Sequence, residues 1–294
     1  MWRHALAGAA RFRAPRPAAD GEPGLSARAS GYATSLAAPR WAERPRQGAL
    51  GNCWLMAPML AIHEAAPEYF RTSIDLGPRT HGSPADGPPA PDSIAHGSSA
   101  DDSPARDTPA EGSRALVRLY RRGEPTWVPV TRRFPVRADG RWAYATESTG
   151  EPGWAGLVEK ALATQIAGSY AGIARGFATF GFPALTGIGA RTHLRLPSAA
   201  RMEEWLGQGR AVVASTHPLS PVLSRRDSRR GTGRLVEVPS THVMAVIGAD
   251  PASGSVLLRN PWKPGEVIEY SAREFRRYFL SADVTNAPVR STAP

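Results

Sequence analysis

Cys53 is the only cysteine among 294 residues, and it stands in Gln47-Gly48-Ala49-Leu50-Gly51-Asn52-Cys53-Trp54, between a glycine-rich turn and an apolar run. A lone thiol forms no internal disulfide, so it is either a small buried hydrophobe or a reactive group. A thiol attacks a carbonyl as the thiolate, and the N-terminus of a helix, with its unpaired N–H groups and positive dipole end, favours that anion. The apolar residues from Cys53 to Ala66 predict a largely buried helix. Asn52 is suited to cap it, and Pro58 interrupts it at the expense of one i to i−4 hydrogen bond. The turn ahead of Cys53 can carry Gln47 round to the same place. There its amide N–H and the Cys53 backbone N–H are suited to the oxygen that gains charge when a peptide carbonyl is attacked.

Such a nucleophile needs a base, usually a histidine oriented by a third polar group. His4 lies in an arginine-rich leader, and His81 and His96 lie in a stretch too poor in apolar residues to fold. His63 is ten residues along the helix from Cys53, roughly 15 Å away at 1.5 Å per residue. His193, His217 and His242 remain. His242 directly precedes the apolar strand Val243–Ile247, and Arg259-Asn260-Pro261-Trp262 ends the next strand. Adjacent strand ends would set His242 beside Asn260, whose side-chain carbonyl can fix the imidazole while Trp262 shields the bond from water.

These blocks, Gln47 to Trp54, His242 before its strand and Arg259 to Trp262, resemble the signature blocks of the calpain-type cysteine proteases, in the papain-like superfamily. Phe134-Pro135, Trp154 with Leu157 to Ala161, Gly168 to Tyr170 and Leu185 to Gly187 resemble intervening blocks of that family, so the likeness runs from about Trp41 to Leu280. His242 follows Cys53 by 189 residues, or 153 once the 36 residues 78–113 are set aside. Papain-like enzymes use roughly 130 to 150. The resemblance implies Cys53 as nucleophile, His242 as base and then acid, Asn260 as orienter and Gln47 as oxyanion donor. It implies an α+β, two-lobed papain-like fold, with Cys53 on the helical lobe, His242 and Asn260 on the β-rich lobe, and the cleft between. The sequence departs from the family where Asn52 replaces an aspartate, Thr131-Arg132 replaces an acidic pair, and Lys263 replaces a glycine. Calcium enters as an expectation of the resemblance alone. Asp227, Glu237, Asp250, Glu266 and Glu269 are too scattered to assign an oxygen cage from sequence.

The elements needed to position these residues are partly legible. Residues 1–40 read as a disordered leader, 41–190 as a helix-rich lobe, 191–284 as a β-rich lobe and 285–294 as a disordered tail. Residues 78–113 hold seven prolines and six acidic residues but one large aliphatic residue, Ile94, and read as a disordered insert. Arg114–Tyr120 and Thr126–Val130 alternate like paired strands, and Arg141–Ala145 reads as a third. An apolar stripe from Trp154 to Tyr170 predicts a helix, and so do Ser198–Leu206 and the capping box at Ser271–Glu274. Ala211–Ser215, Val243–Ala249 and Ser255–Arg259 read as buried strands, and Glu159-Lys160 as an ion pair.

The net charge of +10 comes from 36 basic residues, of which only Lys160 and Lys263 are lysines. The densest basic run, Ser224 to Arg230, lacks interleaved aromatics and reads as a solvated loop, so no nucleic-acid partner is expected. No apolar run reaches the roughly 20 residues of a membrane span. A single catalytic thiol suits a reducing cytoplasm and is compatible with secretion as an effector. The leading expectation is a thiol endopeptidase acting on a protein or peptide substrate. The alternative is a catalytically impaired, protease-like scaffold that binds or regulates.

Overall fold

A computed structural model describes residues 22–77, 114–229 and 237–290. The insert 78–113, all of the leader before Glu22 and the last four residues of the tail lie outside the described residues. The fold is α+β.

In the front half, β1 (Gly31–Thr34) and β2 (Pro45–Arg46) precede α1 (Cys53–Ala65) and β3 (Ile74–Asp75). Then come β4 (Arg114–Arg121), β5 (Glu124–Thr131), β6 (Arg133–Val136), β7 (Thr146–Glu147), α2 (Gly153–Ala167) and α3 (Ala178–Thr186). β4 and β5 pair over their full length, from Arg114 opposite Thr131 to Arg121 opposite Glu124. Their two-residue connection, Arg122 and Gly123, has φ of 57° and 89°, as a twist-matched tight hairpin requires.

The back half holds β8 (Ala190–His193), α4 (Ala199–Gly207), β9 (Val212–Thr216), α5 (Ser220–Arg229), β10 (Val243–Asp250) and β11 (Ser255–Asn260). It ends with β12 (Lys263–Tyr270), α6 (Ala272–Tyr278) and β13 (Phe279–Thr285). Its strands form one antiparallel sheet in the order β12-β11-β10-β9-β13-β8. Side chains alternate across a strand, so Val243 and Ala245 of β10 join a core with α1, α2 and α3. Met244 and Val246 join a second core with α4 and α6.

α1 is buried on every side, from Trp54 through His63 without a break. Pro58 does not interrupt it. The acceptor that Pro58 leaves without a partner is the Trp54 carbonyl, four residues back. That oxygen faces Gly181 of α3, where a Cβ would lie 2.6 Å from it and 2.9 Å from the Pro58 ring. The missing side chain lets two helices close over the proline.

Several expectations are corrected. Residues 22–40 are built into the fold rather than being a disordered leader. β1 pairs with β6, Ser26 bonds the Tyr144 hydroxyl, and Glu22 forms a buried ion pair with Lys160. The end of β13 and the residues after it are also fixed, since the Asn286 N–H bonds the Gly189 carbonyl and Val289 is buried. Lys160 therefore pairs with Glu22 and not with its neighbour Glu159, because adjacent residues on a helix point in different directions. Arg141–Ala145 is not a strand, and only Trp142 bridges to Val136. The helix over the Trp154 stripe ends at Ala167, where Gly168 takes a left-handed φ of 63°. The basic run forms α5, whose inner face buries Ser224 and Asp227. Asp227 accepts from the Tyr278 hydroxyl at 2.8 Å and pairs with Arg277 at 2.6 Å.

Candidate active site

Cys53 is the first residue of α1 and is partly exposed. Its Sγ donates to the Thr241 carbonyl at 4.0 Å. The sulfur also faces the backbone N–H groups of Val243, Trp54 and Cys53 itself, which pull the thiol pKa down. Burial pushes it up by more, so the thiol ends above its ordinary value. The helix end was expected to favour the thiolate, but desolvation of the sulfur outweighs the three N–H groups. Burial thus favours the neutral thiol over the thiolate.

Thr241 and Val243 flank His242, so two of the four backbone groups facing the sulfur bracket the imidazole-bearing residue. Thr241 reaches this position with a φ of 47°, a left-handed conformation rare for a β-branched residue and worth about 1–3 kcal/mol of strain. His242 is clamped by Thr216, whose hydroxyl accepts from the His242 N–H at 2.8 Å and donates to its carbonyl at 3.2 Å. The imidazole Nε2 meets Asn260 Oδ1 at 2.9 Å, and because that oxygen only accepts, Nε2 carries the proton. Trp262 stacks over the ring at a centroid distance of 4.0 Å. The Trp262 N–H in turn donates to Asn260 Oδ1 at 3.0 Å, fixing which way the amide points. Burial lowers the imidazole pKa to about 4, against the Asn260 bond that raises it.

Gln47 is buried, and its backbone N–H donates to the Pro261 carbonyl at 2.9 Å, which ties the turn ahead of α1 to the Asn260 strand end. One N–H of its side chain donates to the Leu50 carbonyl at 2.7 Å. The turn can lie this close only because residue 48 is glycine, since a Cβ there would meet the Tyr144 carbonyl at 2.3 Å. On the far side Glu64 of α1 pairs with Arg44 at 2.5 Å and with Arg259 of β11 at 3.2 Å, bridging the helix and the strand that carry the site.

Asn52 was expected to cap α1, but its side chain makes no capping bond. Asn52 Nδ2 donates instead to Glu159 Oε1 at 2.7 Å, and the Ala145 N–H donates to Glu159 Oε2 at 3.0 Å. Glu159 is buried and, among the described residues, pairs with no cation, and burial raises its pKa to about 7.

The structure thus brings His242 and Asn260 into direct contact, sets the residues beside His242 against Cys53, and joins Gln47 to the same strand end. His193 and His217, the other candidate bases, line a separate cavity with Trp205 and Phe279. Thr241 and Glu159 are the participants that sequence reasoning missed. A position before the histidine carries no signal of its backbone angle, and Glu159 was paired with Lys160 on adjacency alone.

Among the described residues no group of three or more His, Cys, Asp or Glu side chains could hold a metal, and no helix is long and apolar enough to cross a membrane. Glu237, Asp250 and Glu266 bond Arg225, Ser253 and Lys263, while Asp227 is held at Arg277. No protein-family model matches the chain, and no curated protein matches it.

Proposed function

We propose that this chain is a cysteine endopeptidase of the calpain type, with a papain-like division into a helical part around α1 and a β part around β10 and β11. The observation that carries the reading is the orientation of His242. Its Nε2 is committed to Asn260 under Trp262, while the backbone on both sides of the residue faces the Cys53 sulfur.

Because thiol and imidazole both rest neutral, His242 takes the Cys53 proton as the sulfur attacks the peptide carbonyl carbon. The carbonyl π electrons move to oxygen, which the Cys53 backbone N–H and the Gln47 amide receive. The imidazolium then protonates the departing amine, the C–N bond breaks and a thioester remains. Water adds to that thioester, giving its proton to His242; the C–S bond then breaks, the imidazolium returns the proton to the sulfur, and the acid leaves. Asn260 holds the ring in one tautomer throughout, and Glu159 holds the Asn52 side chain directly ahead of the nucleophile.

An epoxide that alkylates thiols should label Cys53 faster than it labels a free thiol, and His242→Ala should slow that labelling by at least about 100-fold. Equal rates in the two proteins would rule the reading out. Assays with added calcium and with a chelator test the family expectation of calcium dependence.

A second reading, a protease-like scaffold without activity, draws on the thiol bonding a carbonyl rather than the imidazole and on its raised pKa. It predicts intact denatured casein after long incubation. Cleavage that disappears in Cys53→Ala would eliminate it.

A further inference from the structure

A cavity of about 710 Å³ opens beside the site, between Gln47 and Trp262. Trp262 lies on the ring of His242, the group that protonates the departing amine in the reaction proposed above. A substrate passing from the scissile bond over Trp262 therefore lays the residues that follow that bond into this cavity. Its charged lining is Arg46, Arg137 and Arg141, all exposed, and no Asp or Glu lines it.

The three guanidiniums are gathered by the fold. The Arg137 N–H bonds the Arg141 carbonyl at 2.9 Å across a turn in which Gly140 has a φ of 79°, so both arginines stand at the mouth of one loop. Arg46 comes from β2, which pairs with β7 through Thr146, itself part of the lining. Asp139 approaches only Arg141, at 3.9 Å. Among the described residues the guanidiniums of Arg46 and Arg137 have no acidic partner. Trp142 lines the cavity between them. Three cations of one sign in a walled concavity focus their field into it and favour an anionic occupant with planar, bidentate acceptors, the chemistry of a carboxylate.

We infer that this cavity receives acidic side chains of the substrate on the C-terminal side of the scissile bond, so that the enzyme prefers peptides with Asp or Glu in the first few positions after it. The inference rests on the reading of Cys53 as nucleophile.

The test uses the full chain and three fluorescence-quenched peptides that differ only after the cleaved bond, where they carry Glu, Gln or Lys. The expected kcat/KM falls in the order Glu, Gln, Lys, with about tenfold between the ends at low ionic strength and less in about 0.5 M salt. In Arg46→Gln/Arg137→Gln/Arg141→Gln the Glu to Lys ratio should fall to about one. Equal rates on all three peptides in the unaltered protein would overturn the inference while leaving proteolysis intact. The Cys53→Ala protein supplies an independent arm, since it binds peptides without cutting them. There, fluorescence anisotropy should rank the Glu peptide tightest, and equal affinities overturn the inference whatever the catalytic result. A preserved ranking in binding, with no cleavage by the unaltered protein, sinks the protease reading and with it the placement after a scissile bond, while the cavity's preference for acidic side chains stands.

Discussion

His242 shows how two opposed effects set the chemistry of one ring. Burial under Trp262 strips water from the imidazolium and lowers its pKa to about 4, while the Asn260 carbonyl oxygen pulls the other way. In the proposed reaction the ring acts as base and must be neutral, so kcat/KM should fall only as pH drops through about 4. Asn260→Ala removes the one interaction that raises the pKa. Its acid limb should move to lower pH while kcat falls on the order of 10- to 100-fold, and a pH series of rates on both proteins checks this. Stability follows the same group. Between the ordinary value of 6.5 and about 4 the unfolded chain binds a proton that the folded ring refuses, so His242 lowers stability as pH falls through that window. Glu159 has the reverse behaviour, since it keeps its proton to about 7 when folded and only to 4.5 when unfolded. Its contribution is present below 4.5 and lost as pH rises through 7. Asn52 Oδ1, buried and without a bonding partner, is suited to accept from a neutral group at residue 159 once its amide turns over. Glu159→Gln should therefore stay folded and lose the decline in stability as pH rises from 4.5 through 7, which leaves the opposite His242 trend below 6.5 in view, whereas Glu159→Ala should cost about 1–3 kcal/mol in denaturant titrations. The side chains that could do chemistry were legible because their types are restricted. Thr241 was not, since its part is played by a backbone carbonyl and any residue supplies one.

At the scale of elements, the helix that presents Cys53 depends on a close fit with α3. Gly181→Ala would thrust a methyl against the Trp54 carbonyl and the Pro58 ring, and neither can retreat without moving α1. A loss of about 1–3 kcal/mol is expected, visible as a lower thermal midpoint and slower labelling of Cys53. The sequence announces the strands next to His242 and Asn260 because both are apolar runs. β13, which pairs with β9 and β8 in the same sheet, passed unseen. Its residues Phe279 to Thr285 are buried nearly throughout yet include Ser281 and Asp283, whose polarity mimics a loop. Asp283 is satisfied by the Thr192 hydroxyl on β8, a partner 91 positions away that no local window contains. α5 was misread for a related reason, since the packing of Asp227 against Tyr278 and Arg277 outweighs the low apolar content of the run.

For the whole molecule, the boundary read at residue 40 was misplaced. Glu22 and Lys160 are both almost fully buried, and the lysine also donates to the Thr131 and Arg133 carbonyls at 3.1 and 2.6 Å. Polar residues near a chain end look like a leader until their distant partner is known. Glu22→Gln should leave that ammonium short of its counter-charge and cost about 3 kcal/mol or more in urea titration. Adding Lys160→Met should restore part of the loss, because a charge that is absent needs no partner.

The place of β13 bears on synthesis. Because it lies between β9 and β8, the sheet supporting His242 stays split until residue 285 has left the ribosome. Cys53 emerges more than 200 residues earlier. A growing chain therefore carries its sulfur long before the sheet that seats the imidazole is complete.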